Sequence, residues 1–296
     1  MYNNVEDLVR CAKEKQSPLW KVILENECQM TEKSEEEIFA LLDKRYEVML
    51  RSVHKALEEP QQTVGNLITG MSNKQHIYSQ TEDTLCGKEL NHVMAMALSA
   101  SEVNAAMGKI CASPTAGSCG ILPAVLAGVT EKYNLSRKET LCGLLTASGI
   151  GTIVVKNATV SGAEGGCQAE CGVAAAMAAA AAAVEMRGGT PEMVGHAVSI
   201  ALINCMGLIC DPIAGLVQLP CAQRNASQSL NALLSADLVL GGMESKVPAD
   251  EVIEAMYRVG KKLPVEMKET ALGGIAATAT GKKIKEEIFG TAHTSA

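Results

Sequence analysis

Aromatic side chains make up only 3% of this 296-residue chain, with one Trp and two Phe. Their scarcity argues against a β sandwich, whose strands lean on aromatic and β-branched residues. A basic excess is also missing: 26 Lys and Arg against 33 Asp and Glu leave a net charge of −7. Binding to nucleic acid needs a basic stripe, so no nucleic-acid partner is expected. Long apolar runs are lacking too. The longest, Gly172 to Val184, ends at Glu185 and falls short of the ~20 residues that span a bilayer. The start MYNNVEDLVRCAKEK is too polar and charged for a signal peptide. These absences predict a cytoplasmic chain without membrane association.

The apolar 47% is instead filled by Ala, Gly, Met and Leu. Small side chains let helices approach closely, so the expected fold class is all-α, a multi-helix domain with Gly/Pro-rich loops converging at one end. One domain, 1–296, divides into a helical N-terminal segment (1–59), an irregular polar connector (60–89) and a core (90–296). Ser34 and Ser136 each open a capping box, the second starting a helix through Ala147. Ile153–Val155 reads equally as a short strand or a buried helix. The Ala-rich run 171–186 predicts a central buried helix ended by Gly188-Gly189. Thr190-Pro191 restarts the chain as a helix, with further helices near 192–209, 225–241 and 250–259. Asp250 is expected to cap the last of these and Gly260 to stop it. No fixed-period repeat is present.

Eleven cysteines is a high, odd count that fits reduced thiols or metal ligation better than a disulfide scaffold. Cys11, Cys28, Cys86 and Cys142 lie in helical surroundings and read as small buried apolar residues. Cys167 in GAEGGCQAE, and Cys210 and Cys221 in CDPIAGLVQLPC, sit instead in Gly/Pro-rich loops. Forty-two residues lie between the first pair and ten between the second, a spacing unlike zinc fingers or ferredoxins. From the residues alone, buried structural thiols and a metal site both remain open. A second loop, Ser113 to Ser118 (SPTAGS), offers small hydroxyls and free backbone N–H groups, a cradle for a carboxylate or a plain interhelical turn.

The strings NATVSGAEGGCQAE, CDPIAGLVQLPCAQRNA and SEVNAAMGKICASPTAGS resemble the α chain of iron–sulfur-dependent L-serine dehydratases, as does AMYRVGKKLPVEMKETALGGIAATATG near the end. The resemblance implies that Cys167, Cys210 and Cys221 hold a [4Fe–4S] cluster with one iron free of protein thiolate, and that no pyridoxal phosphate is used. It places the substrate carboxylate at Thr115, Ala116, Gly117 and Ser118, and gives Asn157, Ser161 and Glu164 roles around the ammonium group or in support of the cluster. The implied reaction is β-elimination on L-serine, yielding pyruvate and ammonia. Elimination on threonine or cysteine, a non-catalytic iron–sulfur redox sensor and a structural zinc protein are the alternatives. The family also implies a partner, a β subunit carrying a Ser-Ser-His-Thr motif, and hence a hetero-oligomer.

Several residues keep two readings. Glu102 and Asn104 match the family pattern or are simply buried hydrogen-bonding residues. Arg224 reaches a cluster sulfide or makes a salt bridge at a helix start, the latter being preferred. Cys171 is an inert core thiol or a fourth ligand. Lys156 lies outside the family motif, and His54, His76, His92, His196 and His293 read as isolated. The tail AHTSA has no cysteine, so capping of the free iron by a terminal cysteine is not expected.

Overall fold

A computed structural model describes residues 2–81 and 83–290; the tail AHTSA and His293 lie outside the described residues. Thirteen α-helices order the described chain, and no strand occurs among these residues. The N-terminal segment forms α1 (Val5–Glu14), α2 (Leu19–Thr31) and α3 (Glu35–Glu58). Both capping boxes form: Ser34 accepts from the Glu37 N–H, Ser136 from the Glu139 N–H, and each Glu accepts in return from its serine's N–H.

Between 60 and 89 the chain is less irregular than its composition predicts. It contains α4 (Met71–Ser79) and the start of α5 (Gly87–Ala105). The buried positions of α4 are Ser72 and Ser79, not apolar residues. Ser72 donates to the Ala95 carbonyl at 2.9 Å, so the helix seats by hydrogen bonding and leaves no hydrophobic period to read.

Helices α6 (Ile121–Tyr133) and α7 (Arg137–Asn157) follow. The Ile153–Val155 ambiguity resolves as helix: α7 runs past Ala147 to Asn157, burying Ile153 and Val154 and exposing Val155. By length and mean hydropathy (1.2) α7 meets the measure of a membrane span, yet 72% of that window is buried inside the protein. The short α8 (Gly162–Gly165) leads into the Ala run. There α9 (Val173–Ala178) is flanked by π turns at Gln168–Gly172 and Ala179–Glu185. Ala174 to Ala176 and Ala178 to Ala182 are fully buried, so this is the central element, ringed by α6, α7, α10 (Pro191–Ile203) and α11 (Cys221–Leu240). Close approach replaces bulk here. A Cβ on Gly151 of α7 would lie 2.9 Å from the Met177 methyl.

Thr190 caps α10 as expected, with Pro191 at its first position. Two expectations for α12 (Ala249–Lys262) fail. Asp250 does not cap its own helix; its carboxylate accepts from the N–H groups of Val5 and Glu6 at 2.8 and 3.0 Å, capping α1 from across the molecule. Gly260 lies inside α12, where a Cβ would come within 2.7 Å of the Gly165 Cα. It is small so that α12 can press on α8. The last helix is α13 (Ala279–Phe289). Of the cysteines read as buried, Cys86 is exposed and Cys11 and Cys28 are half-buried.

Candidate active site

The chain leaves α8 through Gly166, whose φ of +75°, and the 2.9 Å at which a Cβ there would meet the Leu208 carbonyl oxygen, suit glycine. That turn delivers Cys167 to the head of the buried π turn. Gln168 locks it in place, donating to the Gly165 and Met256 carbonyls and accepting from the Gly207 N–H. Thiol Sγ atoms of Cys167 and Cys171 meet at 3.4 Å, so Cys171 faces the same side.

Cys210 arrives on a separate strand-like segment, paired in register with 267–269. Its N–H donates to the Met267 carbonyl at 2.9 Å, and its own carbonyl accepts from the Glu269 N–H at 2.8 Å. Next to it Asp211, buried, accepts from Arg224 Nη2 at 2.8 Å and from the Ile275 N–H at 2.8 Å. Arg224 Nη1 also donates to the Ile209 carbonyl at 2.9 Å. Arg224 is therefore the salt-bridging residue near the start of α11, and it straps the Cys210 loop to the helix that opens with Cys221. All three thiols are buried.

The electrostatics are those of crowded sulfur. Hydrogen bonds from the Cys171 and Cys210 thiols hold Cys167 well below the ordinary thiol range, with Arg224 adding to the effect. The same contact pushes Cys171 and Cys210 up. Burial, and then the Cys167 charge, push Cys221 up to about 12.

Glu170 completes the cluster. Its Oε1 accepts from the Thr115 hydroxyl at 2.8 Å, while Oε2 lies 3.8 Å from Cys210 Sγ. Burial raises its carboxyl to about 7, reinforced by the charge on Cys167. A Cβ at Gly162 would fall 2.3 Å from Glu170 Oε2 and 3.3 Å from Cys210 Sγ, so glycine there keeps this space open. Ligand atoms of Glu170, Cys210 and Glu269 lie within 4.8 Å of one another and could hold a metal ion. The soft thiol set of Cys167, Cys210 and Cys221 suits an iron–sulfur group.

The SPTAGS turn stands against this carboxylate. Thr115 Oγ1 is 3.1 Å from Ser118 Oγ, and Asn225 of α11 accepts from the Gly120 N–H and donates to the Gly117 carbonyl. The Ser113–Pro114 and Leu219–Pro220 peptide bonds, one in each loop, are cis. Asn104 reaches the Ala116 carbonyl at 3.3 Å. Glu102, fully buried, instead holds the N–H groups of Gln61 and Ser72.

A family profile, the serine dehydratase alpha chain, matches residues 14–276. The chain belongs to that family. It is 46% identical over 292 residues to a probable L-serine dehydratase alpha chain of Bacillus subtilis, covering 99% of this chain and 97% of the relative. Identity to an L-serine dehydratase alpha chain of Peptoniphilus asaccharolyticus is 49% over 289 residues, 98% of this chain and 99% of the relative. A longer relative, L-serine dehydratase 2 of Escherichia coli, is 36% identical over 281 residues, which cover 93% of this chain and 61% of that protein.

Within this serine dehydratase alpha chain, not every residue expected at the site meets it. Thr115 and Ser118 stand with Glu170 and the thiols, on the turn that also carries Ala116 and Gly117. Asn157 instead donates to the Asn3 and Ile153 carbonyls, Ser161 is exposed, and Glu164 pairs with Lys261 of α12 at 2.5 Å. Lys156 is likewise drawn to Asn3. Sequence reasoning missed Glu170, Glu269 and Asn225. Glu170 had a signal, as the one charge in the stretch 165–184. Three of the histidines read as isolated are grouped: His54 and His92 both pair with Glu131, at 3.2 and 3.3 Å, and the rings of His76 and His92 lie 5.6 Å apart. That group borders an apolar cavity of about 270 Å³ between α5, α6 and α11, whose lining includes no cysteine.

Proposed function

We propose that this chain is the α subunit of an iron–sulfur-dependent L-serine dehydratase, a cytoplasmic lyase that needs no pyridoxal phosphate. The observation that carries the proposal is a buried carboxylate, Glu170, lying between the hydroxyl of Thr115 and the thiol of Cys210, with Cys167 hydrogen-bonded to Cys210 and Cys221 near enough to feel the Cys167 charge, in a chain related over nearly its full length to L-serine dehydratase alpha chains. Cys167, Cys210 and Cys221 are the residues that would hold the cluster. When bound, a [4Fe–4S] group with one iron free of protein thiolate supplies a Lewis acid for a poor leaving group such as serine's hydroxyl.

The chain's own residues supply the rest. The turn at Thr115 to Ser118 offers the Ser118 hydroxyl and the N–H groups of Ala116 to Ser118 to the substrate carboxylate, while the Thr115 hydroxyl is given to Glu170. Thr115 fixes one oxygen of Glu170 and leaves the other directed toward Cys210. That second oxygen, on a buried side chain beside Cys210, is the group placed to take the α-proton. Loss of that proton and of the β-hydroxyl as water gives aminoacrylate, whose imine tautomer hydrolyses to pyruvate and ammonia. The contact between Thr115 and Glu170 favours this reading over a redox sensor, which needs thiols but no hydroxyl turn beside them.

The test is pyruvate release from L-serine by the anaerobically reconstituted chain together with its β subunit. Replacing Cys167, Cys210 or Cys221 with Ser is expected to lower the rate at least ~100-fold and to remove iron. Cys171→Ala is expected to keep its iron, as befits a core thiol. Pyruvate formation that persists without all three thiols would sink the proposal. A comparison of kcat/KM for L-serine, L-threonine and L-cysteine ranks the substrates.

A further inference from the structure

Serine binds as a zwitterion, and the site described so far accounts for only one of its two charges. Two of the three residues that the sequence offered for the ammonium group are engaged elsewhere, Asn157 with the Asn3 and Ile153 carbonyls and Glu164 with Lys261, and the third, Ser161, carries no charge. Arg224, the cation strapped beside the thiols, is paired with Asp211. What remains beside the thiols is a pair of carboxyl groups, Glu170 and Glu269, with ligand oxygens inside 4.8 Å of each other and of Cys210 Sγ. Such a neighbourhood attracts a small cation.

Glu269 is held there by its backbone. Its N–H donates to the Cys210 carbonyl at 2.8 Å, so the residue cannot move without the cysteine. It adopts φ +63°, a conformation in which glycine would be unstrained and a glutamate is uncommon. Its carboxylate is bonded by the Ala163 backbone and forms no salt bridge with any described residue, and the residue is exposed, so a ligand entering from solvent reaches it. A side chain retained in an unfavourable backbone conformation, tethered to Cys210 and open to solvent, is placed to meet an incoming group.

We propose that Glu269 anchors the α-ammonium group of the substrate, and so selects amino acids over hydroxy acids and simple carboxylic acids at this site. The inference rests on the dehydratase reading. It divides the work between the two carboxylates: Glu269, at the mouth, binds the cation, and Glu170, buried and hydrogen-bonded to Thr115, faces the Cα–H. It also separates the two charges of serine between two loops, the carboxylate at 113–118 and the ammonium at 264–275.

The experiment compares wild type, Glu269→Gln and Glu269→Asp in the anaerobically reconstituted complex with the β subunit. L-Alanine and propanoate serve as competitive inhibitors that differ in the ammonium group. Glu269→Gln keeps the side-chain shape and is expected to raise KM for L-serine and Ki for L-alanine by about tenfold or more, because a charge-assisted contact is lost. Ki for propanoate, iron content and sulfide content are expected to stay at wild-type values, and Glu269→Asp to recover part of the loss. Unchanged KM and Ki for L-alanine in Glu269→Gln would overturn the inference. So would an equal weakening of both inhibitors, which marks a displaced loop, or a loss of iron, which marks a metal ligand. A wild type that makes no pyruvate overturns the dehydratase reading itself, whereas an active wild type with an indifferent Glu269→Gln overturns this inference alone.

Discussion

Asp211 shows how one side chain can hold a site together without entering it. It is 2% exposed, receives Arg224 on one oxygen and the Ile275 N–H on the other, and so joins the Cys210 loop, α11 and the segment 264–275. Removing one partner of a buried ion pair leaves the other desolvated and unpaired, at a cost of about 3–5 kcal/mol. Asp211→Ala is therefore expected to destabilise the protein by that amount in urea unfolding, with an unchanged m value. At this scale the sequence was partly legible. Thr115, Ser118 and the three cysteines are recognisable from local strings, because each loop carries its own Gly/Pro signature. Glu170 and Glu269 are not, because their importance lies in whom they meet.

The central element, from Gln168 to Glu185, combines two π turns with a run of alanines. Alanine favours helix in general, and the periodicity therefore predicts the element but not its widened turns. The second π turn ends on Glu185, whose carboxyl burial raises to about 7 against an ordinary value of 4.5, while the N–H groups of Leu19 and Trp20 pull the other way. The unfolded carboxyl releases its proton near 4.5, and the folded one keeps it to about 7. Between those values the folded state binds more protons, so stability falls as pH rises through the window and stays reduced above it. Glu185→Gln removes this titration. It is expected to raise stability at pH 8 by on the order of 1–3 kcal/mol and to change it little at pH 4, measured by thermal unfolding at both pH values. Capping follows a similar division. Ser34 and Ser136 cap their own helices and can be read locally, whereas Asp250 caps α1 over 244 intervening positions.

At the scale of the molecule, the loops that converge on the thiols also carry apolar side chains in solvent. Met107 is 90% exposed, between Asn104 and the 113–118 turn, and Leu272 is 64% exposed, between Glu269 and Ile275. Relatives of this length are named alpha chains, and the longer E. coli relative extends well beyond the matched region. The isolated chain is therefore expected to release no pyruvate from L-serine after cluster reconstitution, and addition of the β subunit to restore turnover, followed by coupled assay. Full turnover by the isolated chain would refute this dependence. By itself the sequence determined the helical class, the family, the two loops and the three thiols, since composition, helix periodicity and turn chemistry act over a few residues. Only the tertiary structure decided that α12 sends its aspartate to α1 and that Asn157 and Glu164 turn to other partners. It alone placed Glu170 and Glu269 beside Cys210. Those outcomes depend on which distant surfaces pack together, and a buried charge or a free carboxylate has no meaning until that packing exists.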